Sequence, residues 1–334
     1  MKKVWKSSYG FVMEQFDRAE KCEKKILART PGGRSQVALI YGGTQAQKGS
    51  ANYSSACGAM DITRFRTEHD RPVVMLIGAV HGQETEGVAA LTNLISLMET
   101  GKDLAGCENK ALFDLAKRVR LIIVPLANPD GRARVEPETM IGETGEHLRY
   151  WGQGTWKDGS LCGWPECKAV HPIRDYGFLG GYYNDDGINI MHDNFFFPTA
   201  EETKGLLKLA EEEQPDGIFQ LHGGSNSANC LLQPRYTPLE VNEAIRKIAQ
   251  SADETAKKEG LTFQVLPVPP RPSGETPPSF NLVDALHHVS GAVSACFESN
   301  EGLIDGNEPI WNTDQVLRSH EILFEEIFRF FLEE

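Results

Sequence analysis

The chain has 334 residues, 40% of them hydrophobic, ample for a sizeable buried core, and α/β enzymes of this size often fold as one domain. Its formal net charge is −13, with Lys and Arg scattered rather than striped. Nothing in it would neutralise the phosphates of DNA or RNA, which argues against a nucleic-acid partner.

The opening MKKVWKSSYGFVMEQFDRAEKCEKK carries basic residues with no apolar run behind them, unlike a secretory signal. The longest apolar stretch, Val73–Val80, is too short to span a bilayer. Seven cysteines, an odd number, read as reduced thiols and a cytoplasmic location. Cys162 and Cys167, which flank GWPE, are the one pair close enough for a disulfide or metal clip, beside the simpler unpaired reading.

In chain order, the patterns predict a strand over Gln36–Tyr41 and a second over Val73–Val80, followed by a helix over Gly87–Met98. A helix over Lys110–Lys117 and a strand over Val119–Leu126 come next. Residues 132–186 are rich in Gly, Trp and charge and read as an irregular cleft wall. Beyond them lie a helix (Ala200–Glu212), a strand (Gly217–Leu221) and a helix (Leu239–Lys258). Residues 264–280 are crowded with proline and read as a second cleft wall. A strand over Ala292–Phe297 and a helix over Asp314–Phe331 finish the chain. Such alternation predicts a single-domain α/β fold with a mixed, largely parallel central sheet flanked by helices.

Ligand sites in open α/β sheets form beyond the carboxyl ends of the strands. Val73–Val80 runs into His81-Gly82-Gln83-Glu84, and Val119–Leu126 into Asn128-Pro129-Asp130-Gly131. Gly217–Leu221 runs into His222-Gly223-Gly224, and Ala292–Phe297 into Glu298. The His81–Glu84 spacing puts an imidazole at a strand tip and a carboxylate in the first helical turn, with Gly82 allowing the bend. Taken singly, each residue has an ordinary explanation: a hydrogen-bonded histidine, a solvated glutamate, a Glu298 paired with an arginine. Together, two histidines and a glutamate form the open catalytic zinc set of three protein ligands plus water. Glu298 is then the carboxylate that takes the proton from that water and passes it to the leaving amine. The chain has no G-x-S-x-G elbow, P-loop lysine motif or G-x-G-x-x-G fingerprint. Cys296 shares a strand face with Glu298, but nothing singles it out as a nucleophile.

At these residues the chain resembles the carboxypeptidase A-like zinc peptidases over nearly its whole length. HGQE matches the family's H-x-x-E motif, LANPDG its asparagine-proline-aspartate-glycine turn, and LHGG stands where the third ligand belongs. GGRSQ looks like its early glycine-arginine strand entry, and Ser279–Glu298 lies against the stretch ending in the catalytic glutamate. The resemblance implies one zinc held by His81, Glu84 and His222, Glu298 as base, and Val283-Asp284 in the floor of the substrate pocket. It implies an oxyanion-stabilising arginine after the NPDG turn, for which Arg149 is nearest in position and Arg132 and Arg134 are alternatives.

Three departures accompany it. The Asn-Arg pair that grips the substrate's terminal carboxylate is replaced by Met191 and His192, predicting a less basic pocket with a titratable charge. Arg271 is a substitute within reach of that pocket. The aspartate behind a zinc histidine falls on Asn189, whose amide oxygen is expected to accept the same hydrogen bond. The pocket tyrosine falls near Thr276. The reading is therefore a zinc hydrolase of a peptide or small amide substrate, without a membrane or nucleic-acid partner. An N-acyl amino acid deacylase of the succinylglutamate desuccinylase or aspartoacylase type, and a non-catalytic zinc-binding protein of the same fold, are the alternatives. The helix expected after Glu298, in place of a further β-domain, favours the peptidase.

Overall fold

Runs of Val, Ile and Leu bounded by turn residues form the strands of a mixed sheet in the computed structural model, which describes residues 3–333 apart from 44–48, 67–68, 225–227, 275 and 307–309. The strands are β1 (Glu23–Arg29), β2 (Ser35–Tyr41), β3 (Val73–Gly78), β4 (Arg120–Val124), β5 (Gly154–Trp156), β6 (Tyr176–Leu179), β7 (Gly217–Gly224), β8 (Asn229–Leu232), β9 (Phe263–Gln264) and β10 (Val293–Asn300). Eight of them form one sheet in the order β1-β2-β4-β3-β7-β10-β8-β9. Its central four, β4, β3, β7 and β10, are parallel. β1 and β2 extend one side antiparallel, β8 runs antiparallel to β10, and β9 lies parallel to β8.

The helices are α1 (Tyr9–Arg18), α2 (Tyr53–Gly58), α3 (Glu86–Thr100), α4 (Lys110–Ala116), α5 (Pro129–Arg134), α6 (Gly145–Gly152), α7 (Glu201–Glu213), α8 (Leu239–Lys257), α9 (Leu282–Ser290) and α10 (Thr313–Glu333). Alternation along the strands sorts them into two layers. Leu39, Leu76, Phe219, Leu221, Ala295 and Phe297 pack with α3, α4, α8 and α10. Their neighbours Ile40, Met75, Ile77, Ile218 and Cys296 pack with α7 and α9. Each fully buried aliphatic or aromatic side chain contributes about 1.5–3 kcal/mol, so burial on both faces, rather than local propensity, holds β3 (all six residues buried) in the centre. Among the described residues no helix is long and apolar enough to cross a membrane.

The five expected strands are β2, β3, β4, β7 and β10, with ends shifted by a few residues. β1 escapes the pattern because EKKILAR is an edge strand with exposed or half-exposed positions throughout. Residues 132–186 are more ordered than expected: α6 and the β5–β6 hairpin lie within them. Residues 265–280 form no helix or strand where described, and residue 275 of that segment lies outside the described residues.

Candidate active site and metal centre

Strand register brings the first two groups together. β7 and β10 are adjacent and parallel, and Glu298 is the partner of His222 across them. With side chains alternating, His222 lies on the face of Ile218 and Glu298 on that of Cys296, both of which belong to the α7–α9 layer. The sequence had put His222 and Glu298 just past their strands. The strands instead run on to Gly224 and Asn300, and this holds the pair by ladder hydrogen bonds.

His81 and Glu84 arrive from the turn after β3. The strand stops at Gly78 because Ala79 takes a left-handed conformation, φ 46°. At Gly82 a Cβ would lie 2.1 Å from the carbonyl carbon of Gly131, while the Gly82 N–H donates to the Gly181 carbonyl at 2.7 Å. Gly82 is thus required for close approach to the Asn128–Gly131 turn rather than for a bend. That turn is itself tied by the Gly131 N–H donating to Asn128 Oδ1 at 2.9 Å. Glu84 stands just ahead of α3, whose N-cap is Thr85, and not in its first turn as expected.

One carboxylate then reaches both rings. Glu84 Oε1 lies 2.7 Å from His81 Nδ1, and Glu84 Oε2 lies 2.7 Å from His222 Nδ1. All three residues are buried, and each offers a ligand atom within 4.8 Å of the others. The His81 ring is stacked on Tyr182 at 3.9 Å and 15°, which sets its plane. Two imidazole nitrogens and a carboxylate converging on one point are a donor set that fits zinc and leaves a coordination position for water. Behind the rings the structure departs from expectation. Asn189 Oδ1 accepts the Met191 N–H at 3.0 Å, and His81 Nε2 has no hydrogen-bond partner among the described residues. Gln220, two residues before His222, instead places its Oε1 3.4 Å from His222 Nε2.

The electrostatics follow the geometry. Burial works against ionisation of Glu84, but the two histidines outweigh it and bring its pKa down to about 2. Burial also disfavours the charged imidazole of His222, yet Glu84 raises its pKa above the ordinary value, while burial prevails at His81 and lowers it. Burial, with Glu84 nearby, raises the Glu298 carboxyl against the pull of His222, towards the range useful to a general base. Burial drives the Cys296 thiol far above its ordinary value, leaving a poor nucleophile. Two further acids escaped the sequence reading. Glu86 and Glu301 are fully buried beside Gly223, where a Cβ would lie 2.8 Å from both; burial pushes Glu86 to about 8 and raises Glu301 well above the ordinary carboxylate range.

A cavity of about 520 Å³ opens onto these groups. Arg149 lines it from α6, exposed and with no ion pair among the described residues. The alternatives Arg132 and Arg134 are committed elsewhere. Buried Arg132 donates to the carbonyls of Ser7, Gly82, Val135 and Pro137. Arg134 holds the carbonyls of Gly180 and Tyr183 and pairs with Asp185.

Met191 and His192 line the cavity as expected, but His192 brings no charge near neutral pH: burial and the cations around it lower its pKa to about 3. Asp284 lines the cavity too, fully buried and spent on backbone N–H groups. Exposed Arg271 and Thr276 do not line it. Two cations that the sequence did not single out do: Lys168, 4.9 Å over the Trp164 ring, and Arg235. Lys168 and Arg235 thus bring positive charge to a cavity in which Met191 and His192 carry none. Cys162 and Cys167 are both free and buried in a small cluster around Tyr183.

The family model described as zinc carboxypeptidase matches residues 13–274, a span holding His81, Glu84 and His222 but ending before Glu298. Carboxypeptidase D of Mus musculus is 30% identical over 105 residues, which are 31% of this chain and only 7% of that protein's length; the protein of that name from Rattus norvegicus gives the same figures. Among solved structures, a metallo-carboxypeptidase from Burkholderia cenocepacia has a TM-score of 0.59 at 15% identity, with 96% of this chain and 68% of that one covered. A metallo-carboxypeptidase from Pseudomonas aeruginosa, in complex with (2-guanidinoethylmercapto)succinic acid, has a TM-score of 0.55 at 14% identity, with 96% and 67% covered. These structural likenesses show the fold.

Proposed function

Because the chain belongs to the zinc carboxypeptidase family, we propose that it is a zinc-dependent hydrolase removing a C-terminal residue from a peptide or peptide-like amide. His81, Glu84 and His222 hold the metal in this reading, and Glu298 carries the proton. The whole chain acts as one catalytic domain, since strands drawn from residues 23 to 300 share one sheet. The observation that carries the proposal is the single carboxylate lying 2.7 Å from two Nδ1 atoms, with Glu298 in register beside one of them.

When bound, zinc supplies Lewis acidity, polarising a carbonyl and lowering the pKa of water towards about 7. The protein does the rest. Tyr182 and Gln220 hold the two imidazoles in orientation. Glu298 accepts a proton from the attacking water and delivers it to the leaving nitrogen; C–N cleavage then gives an amine and a carboxylic acid, whose remaining proton passes to the amine to leave a carboxylate and an ammonium. Its raised pKa strengthens it as the base that takes the proton from water. Arg149 and Lys168 face the cavity with positive charge, suited to the oxyanion that forms on the carbonyl. The Pseudomonas aeruginosa relative holds a substituted succinic acid, which supports a carboxylate-bearing ligand here as a class.

The test is incubation of the zinc-loaded protein with a pool of short peptides and N-acyl amino acids. The expected result is C-terminal amino acid release from peptides, abolished by chelation and restored by zinc. Hydrolysis confined to the N-acyl amino acids would overturn the peptidase reading in favour of a deacylase.

A further inference from the structure

Part of the cavity wall is built on an arginine that has no place in the mechanism above. β8 runs antiparallel to β10, with Cys230 opposite Glu298 and Leu232 opposite Cys296. The chain leaving β8 therefore passes Cys296 and brings Arg235 to the cavity lining. Asp284 fixes that segment: its Oδ1 accepts the N–H of Arg235 at 3.0 Å and of Tyr236 at 2.9 Å, and its Oδ2 that of Asn281 at 3.3 Å. With both oxygens occupied and the residue fully buried, Asp284 presents no free negative charge to a ligand. It braces Arg235 instead.

The Arg235 side chain is half-buried and underused. Nη2 donates to the Pro270 carbonyl at 3.2 Å, and Nε is buried without a hydrogen-bond partner among the described residues. No described carboxylate forms an ion pair with it, in a chain whose acids outnumber its bases by 47 to 34. Elsewhere in the cavity lining Met191 is apolar, and burial disfavours the charged form of His192. A guanidinium with free donors in a cavity matches the two oxygens of a carboxylate.

Resting on the hydrolase reading, we propose that Arg235 is the specificity-determining residue of this cavity and that it takes a carboxylate of the residue being released. Two sources supply that chemistry, the terminal carboxylate and an acidic side chain, and a set of matched ligands separates them.

The experiment measures calorimetric binding of benzoyl-glycyl-glutamate, benzoyl-glycyl-glutamine and benzoyl-glycyl-glutamate α-amide to the full-length, zinc-loaded Glu298→Gln protein. The same titrations are made with Arg235→Gln and Arg235→Lys added. Arg235→Gln is expected to weaken the glutamate ligand at least about 10-fold, with partial recovery in Arg235→Lys, because a point charge replaces a fork. If the glutamine ligand is weakened equally and the α-amide is not, the terminal carboxylate is the partner; the reverse pattern assigns the acidic side chain. Affinities that change less than about twofold for all three ligands, in variants with unchanged melting temperature, overturn the proposal. Binding stands apart from turnover. A wild-type protein that shows this Arg235 dependence yet releases no amino acid refutes the hydrolase reading and keeps the carboxylate subsite.

Discussion

The two sides of the cavity are made differently. His222 and Glu298 sit within paired central strands, and His81 and Glu84 on a turn locked against the Asn128–Gly131 turn. Arg149, Lys168 and Arg235 come from a short helix, a single 3₁₀ turn (Glu166–Ala169) and the segment after β8. On the first side, ladder hydrogen bonds and a buried sheet set the spacing, and a side chain there can move only if the core does. On the second, helix ends and carboxylates such as Asp284 set it through local hydrogen bonds. Chemistry that every relative must share belongs on the first kind of support, and chemistry that selects among substrates can vary on the second.

The sharpest way to break this division is at the metal. His222→Ala is expected to abolish zinc binding and activity together, read by metal analysis of the purified protein. Full zinc occupancy in that variant would place the metal elsewhere. Next comes Glu298→Gln, expected to keep its zinc while kcat drops by about 10²–10⁴-fold; near-normal kcat would mean that another group moves the proton. A third pair separates scaffold from cavity. Arg132→Ala should lower stability by about 3 kcal/mol, since it strips donors from several buried carbonyls. Exposed Arg149→Ala should change stability by less than about 0.5 kcal/mol and lower kcat with zinc retained. Equal unfolding effects in the two variants would erase the distinction.

The smallest effect is a pH dependence that should differ between the sides. In the metal-free protein the pKa of His222 is raised by Glu84. Its contribution to stability is therefore fully present below the unfolded value of about 6.5 and lost as pH rises through the raised folded value. Zinc requires the neutral imidazole, so the gap in melting temperature between zinc-loaded and metal-free protein should widen from about pH 6 to about pH 8. Glu84, held near 2, stays ionised throughout. The charge of Arg235 should not change over the same window, because an arginine does not titrate there, and His192 is already neutral. A gap that narrows with pH would contradict the His222–Glu84 pairing.

How much of this could be read beforehand follows the same division. The strands that carry the site announce themselves as apolar runs, and each apolar run is followed by a ligand-type or acidic residue, so His81, Glu84, His222 and Glu298 stand out by position even though β7 and β10 run on past His222 and Glu298. The turn at Gly82 is legible as a glycine but its purpose is not, because the neighbour that demands it, Gly131, is 49 positions away. Arg149 could be chosen over Arg132 and Arg134 only by position. What separates them is that Arg132 meets the carbonyl of Ser7, 125 residues distant, and Arg134 the β6–α7 connection at Gly180 and Tyr183. No local pattern marks Lys168 or Arg235, since each is a single basic residue in an irregular stretch.

The sequence by itself therefore determined the layered α/β order and marked the four candidate groups near the carboxyl ends of its central strands, because strand period and burial are local properties written every two residues. Tertiary structure alone decided which cations face the cavity. It decided as well that Asp284 is a brace rather than a pocket anion, and that His192 is uncharged. Those outcomes depend on solvent exclusion and on carbonyls and charges brought in from distant segments, and burial shifts an ionisation equilibrium only once the chain has closed around the group.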